Sequence, residues 1–274
     1  MAGMQRTLPR NRPIGVFDSG LGGLTVVKAL KRVLPYEDIV YLGDTARLPY
    51  GTKSAEAIQR FALQDTEFLL GRNVKLVIVA CHSASSVALD ELQKRHKLPI
   101  LGVIDPGARA AVETTRNNRI GVIGTGLTIG SGSYERAIRR YRRDVEIVAR
   151  STPLFVPLAE EGWLNNDVAY RAALAYLKPL RAERIDTLLL GCTHYPLLKR
   201  VIARALGHRI RLVDSAEETA LSARALLADK SLLRRKARPR YRFYLSDLSP
   251  SFREICSRFL GEPVNDVIRA TIPD

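Results

Sequence analysis

Two cysteines, Cys81 and Cys192, stand in matching surroundings in the sequence. Each follows a run of aliphatic residues, VKLVIVA or IDTLLLG, and each precedes residues typical of a helix start, with Ser83 after the first cysteine and Thr193 and Pro196 after the second. A thiol just before a helix N-terminus has a lowered pKa, because exposed N–H groups and the helix dipole favour negative charge. The pattern therefore predicts two activated thiols.

Two activated thiols that face one ligand can move a proton across a carbon atom. One sulfur takes a proton from one face while its partner returns a proton to the other, so one must be a thiolate when the other is a thiol. A free thiol, with a pKa of about 8.5, is only a few per cent ionised at pH 7 and needs help. His194, two residues after Cys192, is placed to orient or protonate neighbouring groups.

Two other interpretations of the cysteines are open. A buried cysteine is usually an inert small hydrophobe, and we expect that role for Cys256, which lies in a terminal amphipathic segment without polar helix-start neighbours. Zinc ligation by Cys81, His82, Cys192 and His194 is the second alternative. Adjacent Cys-His is not a usual spacing for zinc ligands, so we predict no metal.

The sequence contains an internal repeat. Four segments recur in the same order at a spacing of about 110 residues. Their matching positions are Ile14 and Ile120, Ile39 and Ile147, Cys81 and Cys192, and Asp105 and Asp214. Each segment is a short aliphatic run, which is typical of a parallel strand buried on both faces.

Helical patterns separate these runs, at residues 23–34, 54–70, 166–181 and 196–206. Alternating strands and helices, repeated twice, predict an α/β protein of two pseudo-symmetric lobes, each a mainly parallel sheet flanked by helices. Ligands of such sheets bind beyond the carboxyl ends of the strands. We therefore expect an active site in the cleft between the lobes, with the two thiols on opposite sides of the ligand.

The chain continues beyond the repeat, with a predicted helix at 216–228, a strand at 243–248, and a last helix that ends near Phe259 and is capped by Ser249 and Pro250. We expect this unit to pack on the first lobe. The predicted division is a disordered basic tail at 1–12, a discontinuous first lobe at 13–104 plus 214–274, and a second lobe at 105–213.

Composition narrows the functional classes. The chain has 274 residues, is 46% hydrophobic and carries a formal charge of +15. Basic residues cluster at 136–143 and 234–242, and such clusters can bind nucleic acid. We favour the alternative that both clusters are solvated surface segments, since no RNP or zinc-finger spacing accompanies them. No apolar segment is long enough to span a membrane, and the N-terminal residues lack the pattern of a signal peptide. No two cysteines form a CxxC pair. These features predict a cytoplasmic protein.

A glycine-rich segment, DSGLGG at 18–23, suggests a phosphate loop. Gly20 and Gly22 match the first two glycines of a dinucleotide fingerprint, but Thr25 stands at the third position. That signal is weak, and we predict no nucleotide cofactor.

Taken together, these motifs resemble the glutamate racemase family, from about Pro13 to Gly261. The similar segments are FDSGLGGLTV, GDTARLPYG, ACHSAS, VIGT, FVPLAEEG and LGCTHYPLL. GCTHYP is the most specific of them. The resemblance implies a racemase that interconverts L- and D-glutamate for peptidoglycan synthesis, without metal or pyridoxal phosphate, and it implies a homodimer.

The resemblance also implies residue roles. Cys81 would take the proton from D-glutamate and Cys192 from L-glutamate, with Asp18 and His194 as their respective auxiliary groups and Glu160 assisting His194. Residues predicted to bind substrate are Asp18, Ser19, Pro49, Tyr50, Gly51, His82, Ser83, Thr125, Thr128, Thr193 and His194. Some have plainer alternatives, since Tyr50 could pack in a turn-rich loop and Thr125 or Thr128 could cap a helix.

One position departs from the family pattern. His82 and Ser83 stand where the family usually has Asn and Thr. Neutral histidine offers one donor and one acceptor in a bulkier ring, and a protonated ring beside Cys81 would stabilise a thiolate. We expect racemase chemistry with altered kinetics. A racemase of aspartate or another amino acid stays an alternative, although related aspartate racemases tend to carry an acidic residue where His194 stands.

Overall fold

The computed structural model of the protein describes residues 9–264 and 266–272. Most of the predicted tail at 1–12 lies outside these residues. The strands that are described form two parallel sheets with helices on their faces. This confirms the predicted fold class.

The first sheet has the strand order β10-β9-β2-β1-β3-β4, and the second has the order β6-β5-β7-β8. The strands of the first sheet are β1 (Ile14–Asp18), β2 (Ile39–Gly43), β3 (Leu76–Val79), β4 (Ile100–Gly102), β9 (Tyr241–Leu245) and β10 (Val267–Arg269). Those of the second are β5 (Arg119–Gly124), β6 (Glu146–Ser151), β7 (Thr187–Gly191) and β8 (Arg211–Asp214).

The repeated segments occupy equivalent places in the two sheets. The order β2-β1-β3-β4 matches β6-β5-β7-β8, and the register matches as well, because Ile14 lies beside Ile39 and Ile120 beside Ile147. Every residue of β1, β2, β3 and β7 is buried, as continuous aliphatic runs require. The ends of β3 and β7 therefore carry Cys81 and Cys192 at equivalent positions.

Helices connect the strands and cover the sheets. They are α1 (Leu24–Val33), α2 (Ala55–Leu70), α3 (His82–Val87), α4 (Leu89–Arg95), α5 (Ile104–Thr114), α6 (Gly126–Gly130), α7 (Ser133–Tyr141), α8 (Phe155–Glu160), α9 (Asp167–Ala182), α10 (Lys199–Leu206), α11 (Ser215–Asp229) and α12 (Phe252–Leu260). Short 3-10 turns lie at Thr45–Arg47, Tyr50–Thr52 and Tyr195–Leu198. None of the helices in the described ranges is long and apolar enough to cross a membrane.

The C-terminal elements differ from their predicted bounds. The predicted strand at 243–248 lies at 241–245, because it runs beside β2 in register, with Tyr241 next to Ile39. The last helix begins at Phe252 after Ser251, whose side chain makes no capping hydrogen bond, so the predicted cap at Ser249 was wrong. Strand β10, which the sequence analysis missed, pairs with β9 at the edge of the first sheet.

Candidate active site

The carboxyl ends of β1 and β3 in the first sheet and of β5 and β7 in the second meet at one cavity of about 260 Å³. Its lining residues are Ser19, Gly20, Leu48, Pro49, Tyr50, Gly51, Thr52, Cys81, His82, Ser83, Thr125, Gly126, Pro153, Val156, Pro157, Glu160, Cys192, Thr193 and His194. Both thiols therefore border a single pocket between the two sheets, and both are free cysteines.

On the first sheet, Cys81 immediately precedes α3, and its Sγ lies 3.6 Å from Ser19 Oγ. Burial and, to a smaller extent, the charge of Asp18 raise the pKa of Cys81 to about 12, although hydrogen bonds with Ala84 and Ser19 oppose that shift. The lowered pKa expected from the helix start was wrong for this thiol, because α3 is only six residues long and the sulfur is buried beside a carboxyl group. Cys81 is therefore a neutral thiol at neutral pH.

On the second sheet, Cys192 has a different environment. His194 Nδ1 lies 3.7 Å from Cys192 Sγ, and His194 Nε2 lies 2.9 Å from Glu160 Oε1. Burial lowers the pKa of His194, but the contacts with Cys192 and Glu160 outweigh it and raise the pKa to about 10. His194 is therefore an imidazolium at neutral pH, and its charge favours negative charge on the Cys192 sulfur.

The chain after Cys192 starts with a 3-10 turn rather than with the α-helix predicted from Pro196. The turn spans Tyr195–Leu198, and α10 follows from Lys199. Tyr195 is fully buried, and its hydroxyl is bonded to Thr152. This packing fixes the direction in which the segment leaves the strand end.

Asp18 lies behind the pocket wall and does not line the cavity. It is fully buried, accepts a hydrogen bond from the Gly20 amide at 3.1 Å, and lies 3.5 Å from the Thr193 hydroxyl. Burial raises the pKa of Asp18, and the charge of His194 opposes that shift. Asp18 thus contacts Thr193 across the cleft, and both its auxiliary role and its contact with substrate stay predictions.

Three hydroxyl groups, those of Ser83, Thr125 and Thr128, form a cluster beside the cavity. Ser83 Oγ lies 3.0 Å from Thr125 Oγ1, which in turn lies 3.0 Å from Thr128 Oγ1. Ser83 and Thr125 line the cavity, but Thr128 is fully buried and does not. Thr125 also caps α6 through the Thr128 amide. Thr128 therefore lies behind Thr125, and its contact with substrate stays a prediction.

Tyr50 lines the cavity, and its hydroxyl group is held by two buried carboxyl groups. The hydroxyl donates to Asp44 and lies 3.0 Å from Asp65 Oδ2. Arg47 contacts both carboxylates and neutralises part of their charge. The loop that carries Pro49 and Gly51 is thereby fixed against the first sheet. Asp65, in the middle of α2, was not predicted.

His82 is buried at the first position of α3 and lines the cavity. Its Nε2 lies 2.8 Å from Ser215 Oγ, and its Nδ1 has no hydrogen-bond partner within the described part of the chain. Burial lowers the pKa of His82 to about 3, and the charge of His194 contributes. The ring is therefore neutral, and a protonated His82 does not assist Cys81 at neutral pH.

Across residues 9–264 and 266–272, no group of three or more His, Cys, Asp or Glu side chains is placed to hold a metal ion.

Several basic side chains of the two clusters pair with acidic neighbours, as Arg140 does with Asp105 and Arg234 with Asp38. The preference for a solvated basic surface stays a prediction.

Sequence reasoning missed part of the pocket wall. Pro153, Val156 and Pro157 line the cavity from α8 and the residues before it. They belong to or flank the FVPLAEEG segment that carries Glu160, and helical spacing puts Pro157 and Glu160 on one face of α8. Position within that segment was the signal available for them.

Known proteins resemble this chain over nearly its whole length. A glutamate racemase of Geobacter metallireducens is 50% identical over 262 residues, which are 95% of this chain and 97% of that protein. One of Neisseria gonorrhoeae is 50% identical over 260 residues, which are 94% and 96%. The crystal structure of a glutamate racemase from Bacillus anthracis matches with a TM-score of 0.93 at 39% identity, covering 96% of this chain and 99% of that one.

A second structure, a glutamate racemase of Francisella tularensis in complex with D-glutamate, matches with a TM-score of 0.91 at 39% identity, covering 96% and 98% of the two chains. The fold and pocket define a two-lobed α/β protein with a paired-thiol cleft. The Asp/Glu/Hydantoin racemase family model matches residues 14–223, and the chain belongs to that family. The resemblance inferred from the sequence motifs is confirmed.

Proposed function

We propose that the protein interconverts L- and D-glutamate by cofactor-independent proton transfer between Cys81 and Cys192. The observation that carries this proposal is the arrangement of two free thiols at equivalent strand ends on one pocket between the two sheets. Support for glutamate comes from the relatives at 50% identity, which are named glutamate racemases, and from the similar structure that holds D-glutamate.

The two thiols differ in their electrostatic surroundings. Cys192 lies beside the His194 imidazolium, whereas Cys81 is a neutral thiol next to the Asp18 carboxyl group. With L-glutamate, the Cys192 thiolate takes the α-proton, and the Cys81 thiol donates its proton to the opposite face of the planar carbanion. After D-glutamate is released, the enzyme carries a Cys81 thiolate and a Cys192 thiol. This protonation form catalyses the reverse reaction.

The surrounding polar groups suit an amino dicarboxylate. Hydroxyl groups of Ser19, Ser83, Thr125 and Thr193 line the pocket and can donate to carboxylates. Developing negative charge at the α-carbon is stabilised by donors that are already in place, which costs no reorganisation during proton transfer. His194 at the end of the pocket favours glutamate over aspartate by resemblance to the family pattern.

We also propose the setting that the family resemblance implies: a homodimer that acts in the cytoplasm and supplies D-glutamate for peptidoglycan. Three unpaired cysteines suit a reducing compartment. Sedimentation velocity of the purified chain over a range of concentrations tests the dimer.

The function is tested by polarimetric or circular-dichroism assays of L-glutamate, D-glutamate and L-aspartate, with EDTA and without added cofactor. We expect both glutamate enantiomers to reach the same racemic endpoint and aspartate to react far more slowly. Faster turnover of aspartate, or a requirement for added metal or pyridoxal phosphate, would contradict the proposal.

A further inference from the structure

A buried hydrogen-bond chain connects the two strand ends that carry the thiols. His82 directly follows Cys81, and its Nε2 lies 2.8 Å from the Ser215 hydroxyl oxygen. That hydroxyl donates to the carbonyl oxygen of Leu190 at 3.3 Å, and Leu190 lies two residues before Cys192. The connection therefore runs from one thiol-bearing segment to the other.

This chain crosses between the two sheets. His82 opens α3 after β3 of the first sheet, whereas Leu190 lies in β7 and Ser215 directly follows β8 of the second sheet. His82 and Ser215 are both buried, with 3% and 2% of their surface exposed. Water cannot easily replace either partner there, so the hydrogen bonds keep their directional preference.

The bonding also selects one form of the imidazole. The Leu190 carbonyl can only accept, so the single Ser215 hydroxyl proton points to it and His82 donates its Nε2 proton to the Ser215 oxygen. His82 is neutral because burial holds its pKa near 3. Every donor in the chain then has an acceptor.

We propose that Ser215, through His82, is a positioning residue that sets the distance between the two thiols across the cleft. The inference rests on the proposed two-thiol racemisation. It depends on His82, the position at which this chain departs from the family pattern. Proton transfer requires both sulfur atoms to lie close to the same α-carbon. If the distance between the two lobes varies more, the chemical step is therefore slowed more than substrate binding is weakened.

The first test measures kcat and KM for glutamate in both directions with Ser215→Ala. We expect kcat to fall about tenfold to a hundredfold while KM changes less than about threefold, and Ser215→Thr, which keeps a hydroxyl, to recover most of the loss. The matched control is Thr187→Val, which removes a buried hydroxyl from the other end of β7. Equal kcat in wild type, Ser215→Ala and Thr187→Val would overturn the inference.

A double-mutant cycle with His82→Leu tests the route of the effect. If Ser215 acts through His82, the double variant loses no more kcat than His82→Leu alone. Additive losses would mean that Ser215 acts independently, and they would overturn the inference. An inactive wild-type protein would instead contradict the proposed function itself, so the two failures are distinguishable.

Nitrogen-15 NMR of histidine-labelled protein tests the tautomer directly, because the chain contains four histidines. We expect the His82 signals, assigned by their absence in His82→Leu, to show a neutral ring with its proton on Nε2, and that single tautomer to be lost in Ser215→Ala. A His82 signal that titrates near the ordinary histidine pKa in the wild type, or that is unchanged in Ser215→Ala, would contradict the hydrogen-bond chain.

Discussion

At the scale of single residues, the two thiols are equally buried but electrostatically unequal. Cys81 is 5% exposed and Cys192 is 6% exposed, so access to solvent does not distinguish them. The difference comes from their neighbours, a carboxyl group of Asp18 on one side and the His194 imidazolium on the other. The protonated Cys81 is therefore ready to donate a proton, which is its role in the L-to-D direction.

This asymmetry predicts the order of alkylation. At neutral pH, iodoacetamide should modify Cys192 before Cys81, because the thiolate is the reacting form and burial beside Asp18 keeps Cys81 protonated. Cys256 should react last, since it is 2% exposed and burial raises its pKa to about 12. Peptide mapping by mass spectrometry at short reaction times measures the order, and earlier labelling of Cys81 would show that the electrostatic assignment is wrong.

Glu160 should control the upper pH limit of activity. Its contact helps to raise the pKa of His194 to about 10, so His194 stays charged below that pH and loses its charge above it. In Glu160→Gln the pKa falls, and the alkaline limb of the kcat/KM profile should move to lower pH. Glu161→Gln, which changes the exposed neighbour, is the control. Identical profiles for both variants would exclude this role.

At the scale of elements, the glycine-rich turn after β1 acts through close approach rather than through phosphate binding. A methyl group at Gly22 would lie 2.6 Å from His194 Nδ1. Gly22→Ala should therefore displace His194 and lower kcat by about tenfold or more. Gly130→Ala, which meets no atom within 4 Å, is the matched control and should keep wild-type kcat. Full activity of Gly22→Ala would contradict the close approach.

The central strands could be predicted because their aliphatic runs occur twice at matching spacing, as at Ile14 and Ile120. The bounds of β9 could not, because they depend on pairing with β2, a contact between residues about 200 positions apart along the chain. Within the site, the two thiols followed from their strand-end pattern. The raised pKa of Cys81 depends on burial beside Asp18, which no local pattern encodes.

At the scale of the whole molecule, a buried ion pair attaches the returning C-terminal segment to the first sheet. Lys75 Nζ lies 2.5 Å from Glu37 Oε2 and 2.8 Å from the Leu232 carbonyl oxygen. Glu37 also accepts the Arg234 amide at 2.8 Å. The pair therefore joins segments that are distant in sequence.

Removing one partner of this pair should destabilise the fold. Lys75→Met leaves the Glu37 carboxylate buried without its cation, which should lower the free energy of unfolding by about 3–5 kcal/mol. The double variant Lys75→Met/Glu37→Leu should lose less, because no uncompensated charge remains. Urea denaturation compares the two, and a larger loss in the double variant would contradict this explanation.

The central claim is that two thiols on opposite sides of one pocket exchange protons with the α-carbon. Its most direct test is NMR of L-glutamate in deuterated water with the wild type, Cys81→Ser and Cys192→Ser. The account predicts D-glutamate that carries α-deuterium from the wild type, and loss of racemisation in both variants. Undiminished racemisation by both variants, or D-glutamate that keeps its original α-hydrogen, would contradict it.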